Sequence, residues 1–174
     1  LRHADRVKVG CMTGGLGAVV ASDHDHVWHS ASYYPFTQLM EWGKGTSMQV
    51  RVDCDTFDIP GYVVDDNSTY ARREGLPFID AAAALSEDET ELNIFVINRS
   101  WDGSNDLELD VSGFEGWQLM EHIEMFSKDL KAANTFENPD AVKPVQNTAT
   151  KLEAGKVQAT LQPLSWNVIR LKKA

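Results

Sequence analysis

Two different periods run along this chain. In its first part apolar residues recur at three-to-four spacing: Ala4, Val7 and Cys11, with Val9 and Met12 beside them, predict a helix that Gly14-Gly15 ends. Gly17-Ala18-Val19-Val20-Ala21 is a short run of small apolar residues, suited to a parallel strand buried on both faces. The polar stretch Ser22 to Ser30 reads as a loop. Tyr33 to Trp42 reads as a second amphipathic helix, with Phe36, Leu39 and Met40 on one face and Gly43 or Gly45 as its stop. Helix, strand, loop, helix is the repeating unit of an α/β fold, and one such unit cannot bury its own strand.

From Ser47 onward the period is two. Met48, Val50 and Val52 alternate with polar residues, as do Leu107, Leu109 and Val111, and Leu92, Ile94 and Val96 recur at the same period. Each set predicts a strand with one face inward. Further strands are expected at Gly116 to Met125, Thr148 to Leu152, Lys156 to Leu161 and Ser165 to Leu171. Turn signals separate them: Ser86-Glu87-Asp88-Glu89-Thr90, Ser112-Gly113, Glu115-Gly116, and Glu153-Ala154-Gly155-Lys156 as a tight hairpin. Short strands so punctuated predict an antiparallel β-sandwich, making the chain mainly β. Two stretches, Asp53 to Pro77 and Ser127 to Gln146, have no clear period. The second, with Asn134, Asn138, Pro139 and Pro144, reads as an ordered surface loop, and loops of such length are usually functional or packed on something.

Composition narrows the function. The chain has 174 residues, 43% of them hydrophobic, so it can bury a core of ordinary domain size. A formal charge of −10 and cationic stretches no longer than Arg72-Arg73 and Lys172-Lys173 disfavour nucleic acid and anionic lipid. No apolar run is long enough to span a membrane. The two cysteines, Cys11 and Cys54, fall in segments read as helix and strand, and two scattered thiols suit a reducing cytoplasm better than a disulfide framework. Leu1 is no initiator methionine, so the chain reads as part of something longer.

The candidate chemistry is thin. Asp23-His24-Asp25-His26 with His29 contains metal-ligating types, but in a loop they read as solvated side chains, and no metal is assigned. Trp117 and Trp166 alternate with Leu119 and Val168 and are expected inward. Trp101, before Asp102-Gly103-Ser104-Asn105, is the tryptophan expected to be most exposed, while Trp42 is a further candidate stacking face for sugar. Asn67-Ser68-Thr69 and Asn98-Arg99-Ser100 match a glycosylation pattern by chance, and Asp65-Asp66 and Glu87-Asp88 are turn charges.

Four segments carry a likeness to a known family: Leu1-Arg2-His3-Ala4-Asp5-Arg6-Val7-Lys8; Tyr33-Tyr34-Pro35-Phe36; Asn134-Thr135-Phe136-Glu137-Asn138-Pro139 running to Pro144; and Pro163-Leu164-Ser165-Trp166-Asn167-Val168-Ile169-Arg170-Leu171. In this order and spacing the chain resembles the C-terminal third of a glycoside hydrolase family 51 α-L-arabinofuranosidase. That resemblance implies a (β/α)8 barrel followed by a sandwich. Residues 1–45 would be the barrel's last helix, strand and helix, and residues 46–174 the sandwich.

The resemblance also implies a retaining hydrolase of terminal arabinofuranosides, needing no cofactor, built as a homo-oligomer and acting on arabinose-containing oligosaccharides. Retaining hydrolysis takes two carboxyls about 5 Å apart. In this family they are glutamates on the fourth and seventh barrel strands, and neither has a counterpart here, so no residue is assigned as catalytic. A Trp-Arg-Gln stretch of the family, whose Gln contacts arabinose, corresponds to Trp28-His29-Ser30. These three are the expected substrate-binding residues, with Ser30 shorter than the Gln it replaces. A carbohydrate-binding sandwich module is the alternative reading, and His26 is a further candidate for sugar contact.

Overall fold

The alternating segments build two facing antiparallel sheets, seen in a computed structural model that describes residues 1–10, 19–65 and 68–174. The larger sheet runs in the order β12 (Val145–Gln146), β11 (Trp117–Met125), β15 (Ser165–Lys173), β9 (Glu91–Asn98), β8 (Ile79–Leu85) and β3 (Thr46–Met48). The smaller is β10 (Asn105–Asp110), β14 (Lys156–Leu161) and β13 (Lys151–Glu153). Between them Ile79, Ala81, Ala83, Leu92, Ile94, Val96, Ile169 and Leu171 of one sheet meet Val157, Ala159 and Leu161 of the other. Ladder register places these residues on one face: Ile169 lies opposite Ile94, which lies opposite Ala83. A one-residue slip would turn the whole set outward, so burial itself fixes the register.

The outer face of the larger sheet is covered too. The helix α1 (Tyr33–Trp42) lies over it: Trp166 Nε1 donates to Gln38 Oε1 at 2.7 Å, and Asn93 Nδ2 donates to the Trp42 carbonyl at 3.1 Å. Arg170 sits beneath. Its guanidinium reaches Glu121 (2.5 Å), Glu91 (2.6 Å) and Asn93 (3.0 Å), and stacks 4.4 Å from the Trp42 ring centroid. Two carboxylates, an amide and a ring thus satisfy one nearly buried cation, which keeps its desolvation tolerable. This double covering explains why β9 is buried at consecutive positions from Leu92 to Val96.

A second buried polar chain crosses the sandwich side. His122 Nε2 donates to Asn167 Oδ1 (3.0 Å), which fixes the tautomer, so Nδ1 accepts from the Thr150 hydroxyl (2.6 Å). Asn167 Nδ2 donates to Ser165 Oγ (2.8 Å), and that hydroxyl donates to the Gln162 carbonyl (2.7 Å). Among the described residues no buried side-chain polar atom lacks a partner.

Before β8 the structure departs from the expected α/β unit. Residues 2–6 form a turn, held by Val7 N–H donating to the His3 carbonyl at 2.7 Å, rather than a regular helix. Val7 and Val9 remain exposed, so no apolar face is buried there to stabilise one. Cys11, Met12 and the Gly14-Gly15 stop lie outside the described residues, as do Gly17 and Ala18. The expected parallel strand is instead β1 (Val20–Ser22), paired antiparallel with β2 (Val27–His29), which lies inside the stretch read as loop. Four residues, Asp23 to His26, separate the two, too few for a parallel crossover but enough for a hairpin. In α1 the expected apolar face is also corrected: Gln38 is buried while Leu39 and Met40 are exposed, because Gln38 has a partner in Trp166.

The stretch Asp53 to Pro77 is not irregular. β4 (Thr56–Ile59) pairs with β7 (Arg73–Pro77), and β5 (Tyr62–Asp65) with β6 (Ser68–Tyr70), as successive parts of one antiparallel ribbon. The ladder lapses at Pro60-Gly61, where a Cβ on Gly61 would meet Arg72 N at 2.9 Å, so only glycine lets the strands approach this closely. The strand expected through Met48, Val50 and Val52 stops at Met48. Val50, Val52 and Cys54 still pack on the core without ladder pairing, and the Cys54 thiol donates to the Ile79 carbonyl at 3.8 Å. The strand expected at Thr148 to Leu152 begins only at Lys151.

Candidate functional site

Residues 23–30 turn back as a hairpin because Asp23 closes them. Its Oδ1 accepts from the Asp25 and His26 amides (3.1 and 2.9 Å) and from His26 Nδ1 (2.9 Å). These bonds, led by that from the Asp25 amide, hold the Asp23 carboxyl below its ordinary range. The His24 and Asp25 side chains are exposed, and His29 is drawn away: its ring stacks on Tyr33, centroids 3.6 Å apart and ring planes nearly parallel. Among the described residues no three His, Cys, Asp or Glu side chains converge on one point that could hold a metal ion.

The three expected substrate contacts are held together but differently engaged. Ser30 lies at the base of the hairpin, its hydroxyl donating to the Val19 carbonyl at 2.9 Å and meeting Ser32 Oγ at 2.9 Å. Trp28 points across to the long loop, its indole N–H donating to the Asn134 carbonyl at 2.8 Å. His29 contributes its backbone carbonyl, which accepts from Asn134 Nδ2 at 3.1 Å.

Asn134 is therefore the residue that joins sandwich to hairpin. It is buried, and its side chain also donates to the Val142 carbonyl (3.0 Å) and accepts from the Val142 amide (2.7 Å), closing residues 134–142 into a ring. Phe136 stacks on His26 at 3.6 Å, a second tie between the same two segments. Nothing in the spacing around Asn134 singled it out as an anchor; its position in a long loop rich in asparagine and proline was the only local signal. Tyr34 completes this edge. Its hydroxyl is pushed above the ordinary phenol range by burial and by the nearby Asp140 carboxylate of the loop.

What this edge can do chemically is bounded. It offers aromatic faces (Phe136, His26, Tyr33), a phenol and neutral hydrogen-bonding groups, all suited to orienting an uncharged polyol. Among the described residues, the carboxyls with shifted acidity, Asp23, Asp88, Glu108 and Asp110, are all shifted downward by hydrogen bonds or ion pairing at exposed positions. A glycosidic general acid requires the opposite shift. Glu124, buried in the sandwich, accepts from the Gln162 amide at 3.0 Å and serves the fold. Trp101 is 66% exposed, as its turn position leads one to expect, while Trp117 and Trp166 are half-buried.

Comparison with known proteins places this arrangement. The family described as the alpha-L-arabinofuranosidase C-terminal domain matches residues 1–165. An intracellular exo-alpha-(1->5)-L-arabinofuranosidase of Bacillus subtilis is 31% identical over 99% of this chain and 33% of its own length. A protein of the same description from Streptomyces lividans is 32% identical over 98% of this chain and 24% of its own. The chain thus spans a third or less of these relatives. Among solved structures, the α-L-arabinofuranosidase of Thermotoga maritima in complex with arabinose superposes with a TM-score of 0.76 and 25% identity, over 88% of this chain and 31% of that one. A family model over most of the chain, relatives over nearly all of it and superposable solved structures agree: the chain belongs to the C-terminal domain family of glycoside hydrolase family 51 arabinofuranosidases.

Proposed function

We propose that this chain is the C-terminal part of a retaining α-L-arabinofuranosidase that removes terminal non-reducing arabinofuranosyl residues from arabinan- or arabinoxylan-derived saccharides, and that by itself it does not hydrolyse. The observation that carries the reading is the alignment of nearly the whole chain with one third of a relative named an intracellular exo-alpha-(1->5)-L-arabinofuranosidase. Its role is then structural: the sandwich supports a catalytic barrel, of which residues 1–45 are the last portion and residues 46–174 the appended domain. The exposed Leu39 and Met40 of α1, with Val7 and Val9, supply apolar surface for that contact. Trp28, His29 and Ser30 border the arabinose pocket through their hairpin. The enzyme works in the cytoplasm, in keeping with relatives named intracellular, and as a homo-oligomer.

The test is an assay on p-nitrophenyl α-L-arabinofuranoside. The chain alone is expected to give no turnover, and the chain joined to the barrel encoded upstream of it to give turnover that depends on two barrel glutamates. Hydrolysis by the purified 174-residue chain would refute the structural role. The exposure of Trp101 favours one second reading, a carbohydrate-binding sandwich. Saturable quenching of tryptophan fluorescence by arabinan, lost in Trp101→Ala, would support it.

A further inference from the structure

The end of the sandwich remote from the hairpin holds a cleft that has no part in the edge described above. It opens between the start of β11 and β13, and its volume of about 670 Å³ falls within the roughly 300–1,000 Å³ of small-molecule sites. In the ladder Trp117 stands opposite Lys173 and Met125 opposite Trp166. The cleft is therefore at one end of β11, and the Asn134 loop, which follows Met125, is at the other. At about 3.4 Å per residue the strand separates them by roughly 27 Å. Trp101 belongs to the Asn134 end, since it closely follows Asn98, the partner of Ser165.

Two turns that lock together fix the rim of this cleft. The Val111 amide donates to the Gly155 carbonyl (2.9 Å), the Phe114 amide to the Val111 carbonyl (2.8 Å) and the Trp117 amide to the Phe114 carbonyl (3.1 Å). A Cβ on Gly155 would stand 3.1 Å from Ser112 Cα, so the turns touch. Leu119 and Leu152, packed on the core, form the apolar part of the wall. Phe114 and Trp117 meet edge to face, centroids 5.0 Å apart at 74°, which leaves ring faces uncovered where the stacked Tyr62 and Tyr70 cover theirs. The indole N–H groups of Trp28 and Trp166 are taken by Asn134 and Gln38, whereas among the described residues that of Trp117 has no protein partner. It is available to a ligand hydroxyl.

We infer that this cleft is a second carbohydrate site, which takes an internal stretch of an arabinofuranosyl chain far from the end to be hydrolysed. The lining selects the occupant. Aromatic rings pack against the C–H side of a sugar, while Ser112, Gln118 and Thr150 offer partners for its hydroxyls; the Thr150 oxygen is free to accept because its own proton goes to His122. The charged groups of the rim, Glu115 and Lys151, are one of each sign, so in a chain of net charge −10 this cleft suits an uncharged ligand. The cleft between residues 50–55 and β10 lacks that balance, with Asp53, Asp55, Asp106 and Glu108 in its wall. A hold on the polymer some 27 Å along the sandwich leaves the reacting residue untouched and raises the local concentration of chain ends near the pocket. The identity of the sugar rests on the arabinofuranosidase reading above; the position of the site and its neutrality rest on the cleft.

Calorimetric titration of the 174-residue chain with debranched arabinan, with dextran as control, provides the test, together with hydrogen exchange of the same mixtures. Saturable binding of arabinan alone is expected, with protection gained at residues 111–119 and 150–155. Phe114→Leu keeps the apolar bulk and loses the ring, and is expected to raise the dissociation constant about three- to tenfold. Gln118→Ala, at an exposed position, is expected to weaken binding in the same direction with an unchanged thermal unfolding curve. Trp101→Ala should leave the affinity as it is. Binding indifferent to both cleft substitutions, or protection confined to residues around Trp101, would overturn the cleft and assign the sugar to the other end of the sandwich. Absence of binding would overturn it too, and if the chain joined to its barrel still hydrolyses p-nitrophenyl α-L-arabinofuranoside, the arabinofuranosidase reading survives that loss. Equal binding of dextran would keep a neutral-sugar site but overturn its assignment to arabinofuranosyl chains.

Discussion

The sandwich and the ribbon are both antiparallel β-structure, but they handle their apolar residues in opposite ways. In the sandwich, Val157, Leu161, Ile169 and Leu171 are fully buried between two sheets. In the ribbon, the strand Tyr62–Asp65 leaves its apolar side chains in solvent, because two strands alone have no inside. The difference separates the apolar side chains that build the core from those the fold leaves in solvent. The sandwich stabilises itself. The ribbon, the hairpin of residues 20–29 and the outer side of α1 are held on it through a few contacts, such as Phe57 against Phe78 and Trp28 against the Asn134 carbonyl.

The largest effect that sharpens this contrast is in the core. Ile169→Ala, at a fully buried position, is expected to cost about 2–5 kcal/mol, whereas Val63→Ala on the ribbon should stay within about 0.5 kcal/mol when the chain is unfolded in urea. Equal losses would break the comparison. Arg170 comes next. Arg170→Met removes the cation shared by Glu91 and Glu121 and leaves two carboxylates facing each other across β15. Both are about a quarter to a third exposed, so the cost should fall at about 2–3 kcal/mol, under the range for a fully buried pair. Because Trp42 stacks on the same guanidinium, α1 amides should exchange faster while those of β14 should not.

The contrast also explains what could be read from sequence. Lys156 to Leu161 alternates because one side faces the core, and its boundaries are those expected. The hairpin before it is equally legible, since Ala154 and Gly155 both take positive φ (49° and 74°), the conformation a two-residue turn demands. The ribbon escaped because alternation records burial, and where neither face is buried none is left. β8 is marked only by the turn after it: alanine is a poor strand former, and Ile79-Asp80-Ala81-Ala82-Ala83-Ala84-Leu85 is a strand because β9 and β3 flank it and covering segments need small residues there. In the N-terminal part, a helical spacing of apolar residues without anything to bury them against gave a turn. Of the candidate site, Trp28, His29 and Ser30 came from resemblance alone, and Asn134 was hidden because its contacts with the hairpin span more than a hundred residues.

Asn134→Ala tests whether the hairpin is held on the sandwich in the way the comparison requires. It removes three side-chain hydrogen bonds and leaves the buried Val142 amide without its acceptor, a local loss of about 1–3 kcal/mol. Faster proteolysis within residues 127–146 and altered Trp28 emission are expected, with urea unfolding of the sandwich nearly unchanged. Global destabilisation as large as that of Ile169→Ala would mean that loop and core unfold as one unit.

The smallest effect acts only over part of the pH range, and belongs to the sandwich alone. His122 is buried with both ring nitrogens engaged, and burial depresses its pKa below 6.5, against the weaker opposing pull of the Asn167 bond and the Glu124 carboxylate. The unfolded chain therefore binds this proton more readily than the folded one. Stability is fully present above pH 6.5 and falls as the pH drops from there toward the folded pKa. Protonation would also force Nδ1 to donate toward Thr150, reversing the hydrogen bond. The carboxyls held below their ordinary values act in a separate window: stability from Asp23, Asp88, Glu108 and Asp110 is lost only as pH falls below about 4.5. Between pH 6.5 and 5 the unfolding temperature of the wild type should decline, and His122→Gln, which keeps a neutral hydrogen-bonding group, should flatten that decline while lowering stability at pH 7.5. An unchanged slope in the variant would show that His122 is not the source of the acid sensitivity.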